Sequence, residues 1–222
     1  MERLVVKNLL EKVKNYTDRI YLRYLKSFDS DIYKVKTCNL TYLSIGALRD
    51  IKKVIKRCEY QKLKGIFIEA GCALGGSAIV IGKSKSVERR FSIYDVFGMI
   101  PEPTAKDGED VHDRYDTIIH GRSEGLGGET YYGYIKNLKA GVIQSFKNFN
   151  CDPQQNNIIL HEGLFNDTLF IKEEVAFAHI DADWYESVMM CLTRIEPYLV
   201  RNGVIIIDDY YDWSGCRMAV DV

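Results

Sequence analysis

Five short apolar runs, each closing on an acid or a histidine, constrain this chain more than any other feature. They are Gly65-Ile66-Phe67-Ile68-Glu69, Arg90-Phe91-Ser92-Ile93-Tyr94-Asp95, Asn157-Ile158-Ile159-Leu160-His161, Val175 to Ile180 before Asp181, and Val204 to Ile207 before Asp208. Helical patterns lie between them: 75–82, 131–149, 166–172 and 185–200. Apolar strands alternating with helices predict an α/β fold, a mainly parallel sheet covered on both faces. In such sheets ligands sit outside the carboxyl ends of the strands, where these acids fall.

A length of 222 residues suits one ordinary α/β domain. Residues 1 to about 26 place Leu4, Val5, Leu9, Val13, Ile20, Tyr21 and Tyr24 at helical spacing. That spacing predicts amphipathic helices outside the main sheet. The expected division is an N-terminal helical extension over 1–38 and a ligand-binding domain over 39–222. Within that domain, Asn39 to Cys58 reads as a helix capped by Asn39 or Thr41. Phe97 to Gly128 shows no clear apolar period, and a loop that long in a compact domain is usually functional. Residues 98–128 are read as a lid.

Formal net charge is −1, so no overall basic field exists to hold nucleic acid or an anionic membrane. No apolar run reaches the ~18 residues of a membrane helix. Cys38, Cys58, Cys72, Cys151, Cys191 and Cys216 are scattered without a CxxC pair, which reads as reduced thiols in a cytoplasmic protein.

Three motifs carry chemistry. The first is Glu69-Ala70-Gly71-Cys72-Ala73-Leu74-Gly75-Gly76-Ser77, a strand running through a glycine turn into a helix. Glycine permits close backbone approach and a helix start offers free N–H groups. Its spacing is not the G-x-G-x-x-G of dinucleotide sites, which suits a ligand without pyrophosphate such as S-adenosylmethionine. A plain strand-to-helix turn explains it equally. Asp95, closing the next strand, is placed to accept ribose hydroxyls; by itself it would also serve as a helix cap.

The third motif is the acids at 181, 183, 208 and 209. Charges that close repel, so a cation is expected between them. Oxygen ligands favour Mg²⁺ or Mn²⁺, and no Cys/His spacing suggests zinc. The bland reading is two helix caps and a solvated pair. His161 could touch a ligand or close a turn. His179, inside a strand, reads as a core histidine. Tyr131, Tyr132 and Tyr134 fit either a binding mouth or a packed helix face, and Glu186 complements a helix N-terminus.

Phe67-Ile68-Glu69-Ala70-Gly71, Tyr94-Asp95-Val96-Phe97-Gly98, the segment from Gly163 to Leu169, Ile180-Asp181-Ala182-Asp183-Trp184-Tyr185-Glu186-Ser187 and Gly203 to Tyr210 together resemble the macrocin O-methyltransferase (TylF-like) family from about residue 40 onward. The resemblance implies a Rossmann-like class I methyltransferase fold and dependence on S-adenosylmethionine and Mg²⁺. The implied acceptor is a hydroxyl of a sugar or glycosylated small molecule. It implies Asp181, Asp208 and Asp209 as metal ligands, with Asp181 also the general base. Glu69, Gly71, Gly75 and Ser77 fall in the cofactor turn, Asp95 at the ribose, and Gly163 and Phe165 near the adenine. The family's sheet has two more strands after Asp-Asp-Tyr. Their apparent lack leaves Val204–Ile207 as an apolar edge, so the chain is expected to be a fragment, to pair across that edge as a homo-oligomer, or to be a trimmed, inactive cofactor-binding protein. A catechol-type acceptor is a further alternative. A nicotinamide oxidoreductase is disfavoured by the glycine spacing.

Overall fold

Strands β1 (Ile66–Ala70), β2 (Phe91–Asp95) and β4 (Val175–Ile180) are buried at every residue. This is why their sequences read as unbroken apolar runs instead of alternating. With β3 (Ile158–Glu162) and β5 (Leu199–Ile207) they form one sheet of order β3-β2-β1-β4-β5, every pair parallel. The computed structural model describes residues 26–222, so the helices expected over residues 1–25 lie outside the described residues.

The register brings the strand ends level. Ala70 stands between Tyr94 and Ile180, and Ile180 faces Ile207 across β5. The sheet grows outward in both directions from β1 and β4. The crevice at their carboxyl ends is therefore the topological switch point where open α/β sheets hold ligands.

Helices cover both faces. On one lie α1 (Ser30–Thr37), α2 (Ile45–Tyr60), α3 (Gly76–Ser84) and α5 (Leu138–Asn148). They bury Ile32, Leu48, Ile55, Ile79 and Phe146 around Phe67 and Phe177. On the other, α7 (Tyr185–Ile195) and α8 (Ser214–Asp221) bury Val188, Cys191 and Cys216 against Ile68, Ala178 and Ile180. Because Ile32 and Val35 of α1 are fully buried, this core begins N-terminal of residue 39. All six cysteines are unpaired. No helix among the described residues is long and apolar enough to cross a membrane.

Several expected boundaries differ. The cap of α2 is Ser44, whose hydroxyl accepts from Ala47 N–H at 3.1 Å, not Asn39 or Thr41. The Thr41 hydroxyl is turned into the preceding turn and accepts from Leu43 N–H at 3.1 Å. The helix expected from Tyr131 begins only at Leu138, because Tyr132–Tyr134 form a 3₁₀ turn in which the Tyr131 ring meets Tyr132 at a tilt and Tyr134 edge-on. The Tyr134 hydroxyl also donates to the Ile118 carbonyl at 2.6 Å. The segment 98–128, expected as loop, contains α4 (Glu109–Ile119). Only Val111 and Ile118 of that helix are buried, too sparse a pattern to announce a helix in the sequence.

Phe67 is fully buried with its ring centroid 5.7 Å from that of Phe177. Phe67→Ala is expected to cost about 3–5 kcal/mol of stability, read as a lowered midpoint in urea unfolding with an unchanged slope.

Candidate functional site: an acidic cleft at the switch point

The turn after β1 crosses directly over the end of β4. Gly71 has φ +85°, and a Cβ there would stand 1.8 Å from the Asp181 carbonyl oxygen. Only glycine fits this crossing. Ala73 follows in the left-handed region (φ +44°) and Gly75 (φ +85°) opens α3. The turn is held from below by Asp95, whose carboxylate accepts from Cys72 N–H at 2.7 Å, Ala73 N–H at 3.0 Å and Phe97 N–H at 2.6 Å. Asp95 thus shapes the turn and also borders the cavity above it.

Asp181 follows β4, Asp208 follows β5 and Asp209 begins a 3₁₀ turn. Asp208 N–H donates to the Ile180 carbonyl at 3.0 Å, which continues the ladder by one residue. The strand has then ended, so both neighbouring acids can turn inward. One oxygen from each of Asp181, Asp208 and Asp209 lies within 4.8 Å of the others. Mg²⁺ holds oxygens at about 2.0–2.1 Å, so ligands opposite one another stand roughly 4 Å apart, close to this span. Burial, then the charges of Asp209, Asp183 and Asp208, pushes the Asp181 pKa well up. Burial and the Asp183 charge push Asp209 up to about 8. A set of acids that destabilise one another as anions is a donor set suited to a hard divalent cation. Asp183 stands beside the trio. Its backbone is left-handed (φ +53°), and its N–H donates to Asp209 at 3.1 Å.

Two cavities meet here. One, of about 290 Å³, is bordered by Gly71, Asp95, Val96, Leu164, Phe165 and Met190. The other, of about 580 Å³, is bordered by Tyr42, Cys72, Ser77, Arg114, Asp208 and Asp209. Ile100, Tyr132, Asp181, Asp183 and Trp184 line both. The arrangement can hold an elongated ligand along the first cavity and a second molecule in the other, their reacting atoms meeting beside the acids.

The expected site residues divide accordingly. Gly71, Asp95, Phe165 and Asp181 border the first cavity, and Ser77, Asp181, Asp208 and Asp209 the second. Glu69, Gly75 and Gly163 border neither. Glu69 lies beneath the turn, fully buried and 2.9 Å from His179 Nδ1. Strand alternation sends its side chain into the core instead of the crevice. Gly75 is pressed against Val142, 2.8 Å from where a Cβ would stand. Gly163 (φ +139°) bends the chain so that Leu164 and Phe165 reach the cavity. His161 stacks on Tyr94 at 4.4 Å instead of reaching a ligand.

Sequence reasoning missed Asp107. Its buried carboxylate accepts from Thr104 N–H at 2.8 Å and from Tyr185 N–H at 2.7 Å, at the start of α7. Trp184 Nε1 donates to the Pro101 carbonyl at 2.9 Å, and Asp110 accepts from Ser214 N–H at 2.9 Å. The 98–128 segment is therefore fastened to α7 and α8 and forms a wall of both cavities. The available signal was the Thr104-x-x-Asp107 spacing ahead of a glycine, a self-bonded turn hidden within a charged stretch.

The sequence model of the Macrocin-O-methyltransferase (TylF) family matches residues 36–222. The Demethyldecarbamoylnovobiocin O-methyltransferase of Streptomyces niveus is 28% identical over 189 residues, covering 82% of this chain and 66% of that protein. The chain thus spans just under two thirds of that relative's length. Among solved structures, the O-methyltransferase NovP superposes with a TM-score of 0.66 at 24% identity, over 82% of this chain and 72% of its own. CalS11, the calicheamicin methyltransferase, gives 0.57 at 17%, over 82% and 71%. These likenesses show the same fold.

Gly71→Ala is expected to displace the β1 turn from Asp181 and destabilise the protein, seen as a lower melting temperature and lost ligand protection. The acids make a second expectation. Burial holds the Asp183 pKa up at about 6 and Asp209 at about 8. These groups hold protons more tightly folded than unfolded. In EDTA, the stability these two groups contribute is therefore fully present below about pH 4 and is lost as pH rises through these values. Mg²⁺ requires ionised ligands, so its stabilisation should grow from about pH 5 to about pH 8. Melting curves at both pH values check this, and an equal Mg²⁺ effect at both counts against these ligands.

Proposed function

Since the chain belongs to the macrocin O-methyltransferase family, we propose that it moves a methyl group from S-adenosylmethionine to a hydroxyl of a sugar or glycosylated small molecule, with Mg²⁺ or Mn²⁺ held by Asp181, Asp208 and Asp209. The observation that carries this reading is the convergence of those three carboxylates where the two cavities join. The acceptor class is supported by the Streptomyces niveus relative, which is named for O-methylation of demethyldecarbamoylnovobiocin.

When bound, the cation lowers the pKa of a hydroxyl it holds, and the sulfonium donor supplies the methyl group. The chain's own residues do the rest. Gly71, bordering the first cavity, lets the donor lie against the backbone of the β1 turn. Leu164 and Phe165 form an apolar wall for its nucleoside. Asp181, bordering both cavities, is placed to take the acceptor's proton. Tyr132 and Trp184 wall the meeting point and exclude water. Holding the reactants in line is worth roughly 7–11 kcal/mol of barrier when the geometry is good. The unpaired, mostly buried cysteines support a reducing compartment such as the cytoplasm.

Incubation with S-adenosylmethionine, Mg²⁺ and a panel of sugars and glycosides is expected to give methylated product that EDTA abolishes. Asp209→Asn should remove turnover while leaving S-adenosylhomocysteine affinity unchanged in titration calorimetry. Turnover indifferent to EDTA overturns the metal role. Cofactor binding without product on any acceptor favours an inactive binding protein.

A further inference from the structure

We propose that Arg194 is a positioning residue for the nucleoside end of the methyl donor: from α7 it holds in shape the single turn that walls the first cavity. The proposal rests on the donor reading above.

The wall is α6 (Phe165–Thr168), a helix of one turn. A turn that short is not stable alone in water; its Phe165 carbonyl accepts from Leu169 N–H at 3.0 Å, and Arg194 Nη1 adds a donor from outside the turn. It lies 2.8 Å from the Phe165 carbonyl, 3.0 Å from that of Asn166 and 3.2 Å from that of Leu169. A positive charge is also the favourable one at carbonyl ends. The guanidinium carbon stands 4.6 Å from the centroid of the Phe170 ring, which fixes the plane of the fork.

The far side of this turn faces ligand space. Leu164, Phe165 and Asn166 border the first cavity, while Arg194 does not. Arg194 therefore acts through the turn. Its helix makes the connection more than local. Ser187 and Met190 of α7 border the same cavity, and 187, 190 and 194 fall on one helical face. The helix starts directly after Asp181-Ala182-Asp183-Trp184, with Tyr185 N–H held by Asp107. Arg194 lies nine residues beyond Tyr185, about 13 Å along the axis. One rigid helix thus fixes the acidic turn at its start and the nucleoside wall near its end. Lysine offers a charge but not the planar guanidinium that lies over the Phe170 ring.

The experiment is calorimetric titration of S-adenosylhomocysteine and of S-inosylhomocysteine, whose purine lacks the 6-amino group, into wild type, Arg194→Gln and Arg194→Lys. The expected result is about tenfold weaker S-adenosylhomocysteine binding for Arg194→Gln, the size of a lost charged hydrogen-bond set, with Arg194→Lys intermediate. The preference for the adenine ligand should shrink in both variants, and Mg²⁺ binding measured alone should not move. A role in stability only would lower the melting temperature and leave the purine preference intact. Should Arg194→Gln fail to fold, Phe170→Leu, at an exposed ring, offers the same readout with a smaller loss. Unchanged affinity and purine preference in a folded variant overturn the proposal. Failure of wild type to bind S-adenosylhomocysteine overturns instead the donor reading beneath it.

Discussion

Gly71 passes over Asp181 so closely that no side chain can stand between them, and the cleft is organised around that contact. The two strands behind these residues are adjacent in the sheet but distant in sequence. A backbone crossing at their ends brings the glycine turn, whose N–H groups are held by Asp95, into register with the acid that follows β4. A bulkier residue at 71 would lift the turn away and open a gap where donor and acceptor must meet.

Charge is the second constraint. Nothing in ordinary stability favours placing Asp181, Asp208 and Asp209 so near one another, and the raised pKa values of Asp181 and Asp209 record the cost. The surrounding backbone absorbs part of it, since Asp183 N–H donates to Asp209 from a left-handed residue. A strained conformation beside a mutually repelling cluster is a pattern of ligand sites. The rest of the fold, with three strands buried at every residue, supplies the stability to hold it.

A third theme is attachment. The wall from 98 to 128 contains its own helix and is tied to α7 and α8 through Asp107, Trp184 and Asp110. Gly108 and Gly215 allow this approach, since a Cβ on either would meet Ser214 or Asp107 oxygens within 2.3 Å. With Arg194 near its other end, α7 links the acidic turn, the loop wall and the turn at Leu164–Asn166 that borders the first cavity.

The sequence by itself determined the strands, their parallel arrangement and the acids at their ends. Those features are written in local hydrophobic runs, and a run of four to six apolar residues stopped by aspartate has few structural solutions. It also grouped the acids at 181, 183, 208 and 209, because acids at strand ends share one edge of the sheet; the narrower set of 181, 208 and 209 came from the family resemblance. Only the tertiary structure decided that Glu69 turns inward to His179, that Tyr131 packs against Tyr132 and Tyr134 at a 3₁₀ turn, and that Asp107 and Arg194 hold the walls. Each of these depends on a partner about 25 to 110 residues away or on tight side-chain packing. Local periodicity carries no record of what a side chain will meet once the sheet has closed.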